Sequence, residues 1–184
     1  MVAMITQNAY ILVNSRIQLD HAQSVKQRIL HNMKIGTVVH AIQLERGSSA
    51  LFISSQKNQE LFQKLLLFRQ QLDNAVAEVT TWIWTLPEDP DDVSGVDFFS
   101  REAFHDGIEK FRNVFDSSNL TITQVLDFYS RVNEKLMDWM VAGMLTSSSR
   151  TLWAALVSYH MLIVAKEQAG VERALGSTFY THGG

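Results

Sequence analysis

The 184-residue chain contains no cysteine and only two prolines, Pro87 and Pro90, which lie close together. The absence of cysteine excludes disulfides, thiol nucleophiles and thiolate metal sites, although it does not identify a cellular compartment. Because proline interrupts helices, its restriction to one short loop favours long helices on either side. The length suits one domain, since domains commonly contain about 100–200 residues.

Basic charge and long apolar runs are also scarce. The chain has 16 Lys and Arg against 19 Asp and Glu, and its net charge is −3. A nucleic-acid partner is therefore not expected, because such proteins present a basic stripe. The apolar segment Leu152–Ala165 is interrupted by Ser158 and His160 and is shorter than the roughly 20 residues of a membrane span. With no signal-peptide pattern either, we expect no direct membrane insertion by this segment.

Recurrent catalytic motifs are missing from the sequence. It has no phosphate-binding glycine loop, no nucleophile elbow and no His-Glu-x-x-His zinc pair. One acidic helical face, formed by Glu102, His105, Asp106 and Glu109, has a spacing that suits metal ligation. A di-iron bundle needs a second Glu-x-x-His, however, so an ordinary solvated face is the favoured interpretation. We predict a protein that is not an enzyme, with no catalytic residue, metal or cofactor.

Apolar residues recur every three to four positions through most of the chain, which predicts an all-α protein. Short connections predict an antiparallel helical bundle with long first and last helices. Residues 1–19 have no clear period and are left open as a helix, a strand or a disordered lead-in, so the domain is placed at 20–184. The expected helices cover about 21–54, 59–86, 101–115 and 122–145, with Asp20, Asn58, Ser100 and Thr121 as N-caps, and a last helix follows a turn at Thr146–Ser149.

The second expected helix has the clearest period, a four-three alternation that is typical of a coiled-coil seam. Its members are Leu61, Leu65, Phe68, Leu72, Ala75, Val79, Trp82 and Leu86. We interpret the seam first as bundle core and second as a homodimer interface.

Two glycines lie inside the first expected helix, Gly36 and Gly47. Each costs up to about 1 kcal/mol relative to alanine in a helix interior. Close approach of another helix or of a ligand is therefore expected at these positions.

Two distant stretches each contain a Glu-Arg pair among small residues. They are QLERGSSALFISS (Gln43–Ser55) and AKEQAGVERALGSTF (Ala165–Phe179). Side chains three and four positions apart are neighbours on a helix, and neither Arg46 nor Arg173 has a carboxylate at that spacing. A guanidinium keeps its proton, so if buried it needs a partner from elsewhere, either a distant carboxylate or a bound anion. On these residues alone, a structural ion pair is the favoured alternative.

Together the segments LERGSSA and AKEQAGVERALG resemble the nitrate- and nitrite-sensing (NIT) domain, and the resemblance spans about Asp20 to Phe179. It implies an all-helical input module of receptors with kinase, chemotaxis, cyclic-nucleotide or RNA-binding antitermination outputs. Receptor guanylyl cyclases and bacterial receptors are both open as parent classes. The resemblance implies a nitrate-binding pair, Arg46 and Arg173. Further ligand-binding candidates are Gly47, Ser48, Ser49, Gly176 and Ser177.

A clamp on a small anion gives this resemblance a mechanism. Nitrate is planar, and the guanidinium fork can engage two of its oxygens. We expect Arg46 and Arg173 to bridge one anion between the first and last helices, with hydroxyl donors from Ser49 and Ser177. Without the anion two facing arginines would repel, so binding would displace a helix and signal to an output domain not in this chain.

Two settings and one competing function remain open. A segment of a membrane receptor is the favoured setting, and a soluble cytoplasmic regulator is the alternative. The competing function is a helical interaction or dimerisation module in which both arginines form structural salt bridges. Family members continue past the ALG motif with further helices, whereas this chain ends at Gly184, so we expect a C-terminally incomplete bundle.

Overall fold

A single long helix, α1 (Val2–Ser54), runs through the computed structural model, which describes residues 2–86, 94–145 and 150–181. The other helices are α2 (Gln59–Glu78), α3 (Arg101–Ser117), α4 (Ile122–Leu145) and α5 (Arg150–Thr181). These described ranges contain no strand. The prediction of an all-α bundle with long first and last helices is confirmed.

Helix α1 packs against α2, α4 and α5. Both α2 and α4 run antiparallel to α1, whereas α5 runs parallel to it. The contacts that fix these directions are Phe52–Phe62 and Glu45–Arg69 for α2, His31–Trp139 and Glu45–Tyr129 for α4, and Gly36–Tyr159 and Arg46–Glu167 for α5. The core therefore surrounds the second half of α1, where Ile35, Val38 and Ile42 have no exposed surface.

Helix α1 begins earlier than expected. It contains 53 residues and is about 80 Å long at 1.5 Å per residue. Asp20, expected as the N-cap, lies inside the helix, so that expectation is wrong. The first part carries exposed apolar side chains, namely Tyr10, Ile11, Leu12, Val13, Ile17 and Leu19. Across the described ranges, none of the helices is both long and apolar enough to span a bilayer.

Three of the expected helix caps are confirmed. Asn58 Oδ1 accepts from backbone N–H groups in the first turn of α2, the nearer at 2.8 Å. Ser100 Oγ accepts from the backbone N–H of Ala103 at 3.0 Å. Thr121 and Gln124 form the reciprocal capping box of α4, with distances of 3.2 and 2.8 Å. The turn expected at 146–149 lies outside the described residues.

Helix α2 ends at Glu78 rather than at residue 86. The following residues, VTTWIWT, are all β-branched or aromatic, and such side chains lose rotamer freedom in a helix. Instead the segment is irregular, and two indole hydrogen bonds hold it in place. Trp82 Nε1 donates to the carbonyl of Phe98 at 2.8 Å, and Trp139 Nε1 donates to that of Ile83 at 3.0 Å.

The apolar seam of α2 is packed by the chain's own helices. Leu65, Leu72 and Ala75 of α2 are 0%, 1% and 7% exposed, and Val79, the residue after the end of α2, is 0% exposed. The interpretation of the seam as bundle core is confirmed. A homodimer through this seam is not supported, because these side chains are already covered.

Candidate functional site

A buried ion-pair network lies at the centre of the bundle, around Glu45. This carboxylate is 0% exposed and accepts two hydrogen bonds from Arg112. Arg112 Nε donates to Oε1 at 2.8 Å, and Nη2 donates to Oε2 at 2.7 Å. The Tyr129 hydroxyl also donates to Oε1 at 2.8 Å, and Arg69 Nε lies 3.8 Å from the same oxygen. Burial raises the pKa of Tyr129 well above its usual value, and the Glu45 charge adds to this effect. The network satisfies a carboxylate that could not otherwise be buried.

The same network reaches the surface at Asp73, His105 and Glu109. Their potential ligand atoms lie within 4.8 Å of one another. Arg112 Nη1 donates to Asp73 at 2.7 Å and also to Glu109, so both carboxylates already accept from a guanidinium. Although burial alone would lower the pKa of Arg112, hydrogen bonds and charge from Glu45 and its neighbours raise it. This group is a structural ion-pair network.

A second polar layer surrounds Arg46, which is 1% exposed. Its Nη1 donates to Ser130 Oγ on α4 at 2.9 Å and to Glu167 Oε1 on α5. The other oxygen of Glu167 accepts from Gln43 Nε2 at 2.7 Å and from Asn133 Nδ2 at 3.1 Å. We predicted that Arg46, if buried, would need either a distant carboxylate or a bound anion as its partner. The carboxylate of Glu167 is that partner.

This layer is incompletely hydrogen-bonded. Arg46 Nε and Asn133 Oδ1 have no hydrogen-bond partner among the described residues. The buried Ser49 hydroxyl likewise has no hydrogen-bond partner among the described residues. A buried donor or acceptor left unpaired costs about 1–3 kcal/mol. The Arg46 layer therefore has hydrogen-bonding capacity that the surrounding protein does not use.

An open cleft of about 360 Å³ lies between α1, α2 and α5 and adjoins this layer. Three cationic side chains line it, Lys64, Lys166 and Arg173, together with His40, and its described lining contains no Asp or Glu. The remaining lining residues are Gln43, Leu44, Gly47, Ser48, Leu51, Phe68, Gly170 and Ala174. We call this the cationic cleft, and its charge suits an anion.

Two members of the cationic cleft contact each other directly. Lys166 Nζ lies 2.8 Å from His40 Nδ1. Burial lowers the pKa of His40, and the charge of Lys166 lowers it further. Burial also lowers the pKa of Lys166, with Arg173 acting in the same direction and Glu167 opposing. In both groups burial is the largest cause of the lowered pKa, and a neighbouring positive charge adds to it.

A comparison with known families finds a match. Residues 37–184 match the family model described as "NIT: Nitrate and nitrite sensing". The chain belongs to the NIT family. NIT domains are sensory input domains of signalling proteins and are not catalytic themselves. Membership of this family implies a nitrate or nitrite ligand. No match was found among curated proteins or among solved structures.

The structure of this NIT domain brings several of the predicted ligand-binding residues together. Arg173, Gly47 and Ser48 line the cationic cleft. Arg46 is buried beside it, and its Nη2 lies 3.1 Å from the position that a Cβ on Gly170 would occupy. Ser49 is also buried, at 0% exposed. Their role in ligand binding stays a prediction.

Two further candidates lie towards the C-terminal end of α5 in the NIT domain. Gly176 has open space where a Cβ would be, and it is not among the lining residues of the cationic cleft. The side chain of Ser177 lies outside the described part of the chain. Their ligand-binding roles likewise stay predictions.

Sequence reasoning missed several residues around the NIT site. Lys166, Glu167 and Gly170 lie inside the AKEQAGVERALG segment but were not among the predicted ligand-binding residues. The charged residues of that segment other than Arg173 were the signal that could have pointed to Lys166 and Glu167. Lys64 comes from α2, and nothing in its local sequence connects it to the two motifs.

Proposed function

We propose that this NIT domain senses nitrate or nitrite by binding the anion in the cationic cleft. The observation that carries the proposal is the juxtaposition of an acid-free cleft and the buried, incompletely bonded Arg46. Binding would be passed as a helix displacement to an output domain outside this chain, of the guanylyl cyclase, kinase or chemotaxis type.

The lining of the cationic cleft suits a planar, singly charged anion. Arg173 offers a two-pronged guanidinium fork from α5, and Ser48 offers a hydroxyl from α1. Gly47 leaves space, because nothing lies within 4 Å of where its Cβ would be. Hydrogen bonds to a charged group contribute about 1.5–3 kcal/mol each, so roughly four would reach micromolar affinity after the costs of binding.

Signalling requires that the anion favour one helix arrangement over another. The expected repulsion between two bare arginines does not suit this structure, because Glu167 already neutralises Arg46. The remaining cations of the cleft come from separate helices, Lys64 from α2 and Arg173 from α5. An anion bridging them would draw α2 and α5 together around α1.

One observation favours the competing function, a helical interaction module. The Arg46–Glu167 ion pair is the contact that a purely structural arginine would make. In that case nitrate would not change stability, and the melting temperature would depend on protein concentration.

Thermal unfolding in nitrate, nitrite and chloride at matched ionic strength tests the proposal. Nitrate at about 100 times its Kd should add about 2.7 kcal/mol of stability, a rise of roughly 5–10 °C for a chain of this size. Arg173→Ala should lose the rise. Arg16→Ala, an exposed arginine on the first part of α1, should keep it. An equal rise in chloride, or one that persists in Arg173→Ala, would contradict binding at this cleft.

A further inference from the structure

The Glu167 carboxylate is held in the way that a bound anion would be held. It is 4% exposed and accepts hydrogen bonds from three donors on two other helices. The donors are Arg46 Nη1 and Gln43 Nε2 from α1 and Asn133 Nδ2 from α4. A carboxylate and nitrate are both planar groups whose negative charge is shared among coplanar oxygens, so the same donors suit both.

The Arg46–Glu167 pair differs from the structural arginine pairs of this bundle. Arg112 donates to Glu45 through two nitrogens. Arg69 likewise donates to Asp116 through two nitrogens, at 2.7 and 2.8 Å. Arg46 instead contacts Glu167 through Nη1 alone. Its Nε has no hydrogen-bond partner among the described residues, which is also true of Arg69 Nε. A one-pronged pair is the weaker arrangement and leaves donor capacity for a second anion.

The position of the pair connects it to the cationic cleft. Gln43 and Gly170 line the cleft, and Gln43 also donates to Glu167 while Gly170 faces Arg46 Nη2. An anion in the cleft therefore lies beside the donors that Glu167 now occupies. Because Glu167 is tethered, its effective concentration at Arg46 is high, in the millimolar range or above.

We propose that Glu167 is a built-in competitor for the anion, occupying the Arg46 subsite and thereby setting the affinity of the cleft. This inference rests on the proposed function of the cleft. An arriving planar oxyanion shares or takes over the donors of Arg46, Gln43 and Asn133, and the carboxylate is displaced. Displacement would loosen a contact that joins α1, α4 and α5, which makes Glu167 the residue that couples binding to helix position.

Chemical rescue tests the Arg46 subsite itself, without assuming that the native chain binds nitrate. Glu167→Ala should lower the melting temperature, and formate, acetate or nitrate should restore part of the loss in a saturable way, whereas chloride at equal ionic strength should not. Glu172→Ala, which removes an exposed carboxylate from the same helix, should need no rescue. The double variant Arg46→Ala/Glu167→Ala should lose the rescue.

A second variant measures competition directly. Glu167→Gln keeps an acceptor for Arg46 but removes the charge, so its nitrate Kd should fall by about tenfold or more relative to the native chain. An unchanged or higher nitrate Kd in a folded Glu167→Gln chain would overturn the proposal. If Glu167→Ala does not fold, the Kd of Glu167→Gln alone tests the proposal. Absence of rescue in a folded Glu167→Ala chain would also overturn it.

The two proposals fail in distinguishable ways. Rescue of Glu167→Ala by planar anions, with no nitrate binding by the native chain, would support an anion subsite at Arg46 that Glu167 fills, and it would count against native sensing. Nitrate binding by the native chain that is unaffected in Glu167→Gln would support sensing and overturn the competitor.

Discussion

Two adjacent residues, Glu45 and Arg46, serve two different buried networks. Glu45 is bound by Arg112 and Tyr129, and Arg46 is bound to Glu167 on α5. Consecutive helical residues point in directions about a quarter-turn apart, so adjacent charges need not pair with each other. The sequence correctly predicted that the glutamate beside Arg46 would not be its partner. It could not identify the partners, because both arise from tertiary packing over more than sixty positions.

Loss of the Glu45 carboxylate should be strongly destabilising. Glu45→Ala leaves the buried Arg112 guanidinium, which is 3% exposed, without its principal partner. Breaking a buried ion pair in this way typically costs about 3–5 kcal/mol. Urea unfolding followed by circular dichroism would measure the loss. Glu60→Ala, an exposed carboxylate in the first turn of α2, is the control, and a Glu45→Ala loss similar to the control would contradict the buried-network account.

Helix starts were predictable because their causes are local. Asn58, Ser100 and Thr121 cap helices through side chains that reach only two or three residues along the chain. Two helix limits were mispredicted. The cap-like Asp20 lies inside α1. Helix α2 ends early, and the segment after it is held by two long-range hydrogen bonds: Trp82 donates to the carbonyl of Phe98, and the carbonyl of Ile83 accepts from Trp139 of α4.

The internal glycines show how element packing decides the role of a residue. At Gly36, a Cβ would lie 2.3 Å from the Tyr159 hydroxyl, so the expected close approach of another helix is confirmed there. At Gly47 nothing lies within 4 Å, so packing does not account for that glycine. Space for a ligand in the cationic cleft remains the proposed reason for Gly47.

Alanine at two helical glycines should therefore have opposite effects on stability. Gly107→Ala places a Cβ 3.0 Å from the Cα of Val96 and 3.1 and 3.2 Å from its two methyl carbons, so Val96 is crowded on three atoms, and a loss of about 1–3 kcal/mol is expected. Gly47→Ala meets open space and should gain up to about 1 kcal/mol from helix propensity. Denaturant unfolding of both variants checks the signs. Destabilisation by Gly47→Ala in the absence of anion would contradict the open space seen there.

At the scale of the whole molecule, an acidic chain carries a locally cationic cleft. The net charge is −3, yet the cleft gathers Lys64, Lys166 and Arg173 from two helices that are far apart in sequence. The motifs predicted Arg173 and its small neighbours because they lie within one recognisable segment. Lys64 was not predictable, since its inclusion depends on how α2 lies against α1 and α5.

The most direct test of anion binding follows the arginine side chains themselves. Two-dimensional NMR of the Nε–Hε groups, during titration with nitrate and separately with chloride, reports which guanidinium groups contact the anion. The account predicts that Arg173 and Arg46 signals shift together, saturably and only with nitrate, while Arg16 does not respond. Shifts that are linear, common to all exposed arginines or the same with chloride would contradict a nitrate site in the cationic cleft.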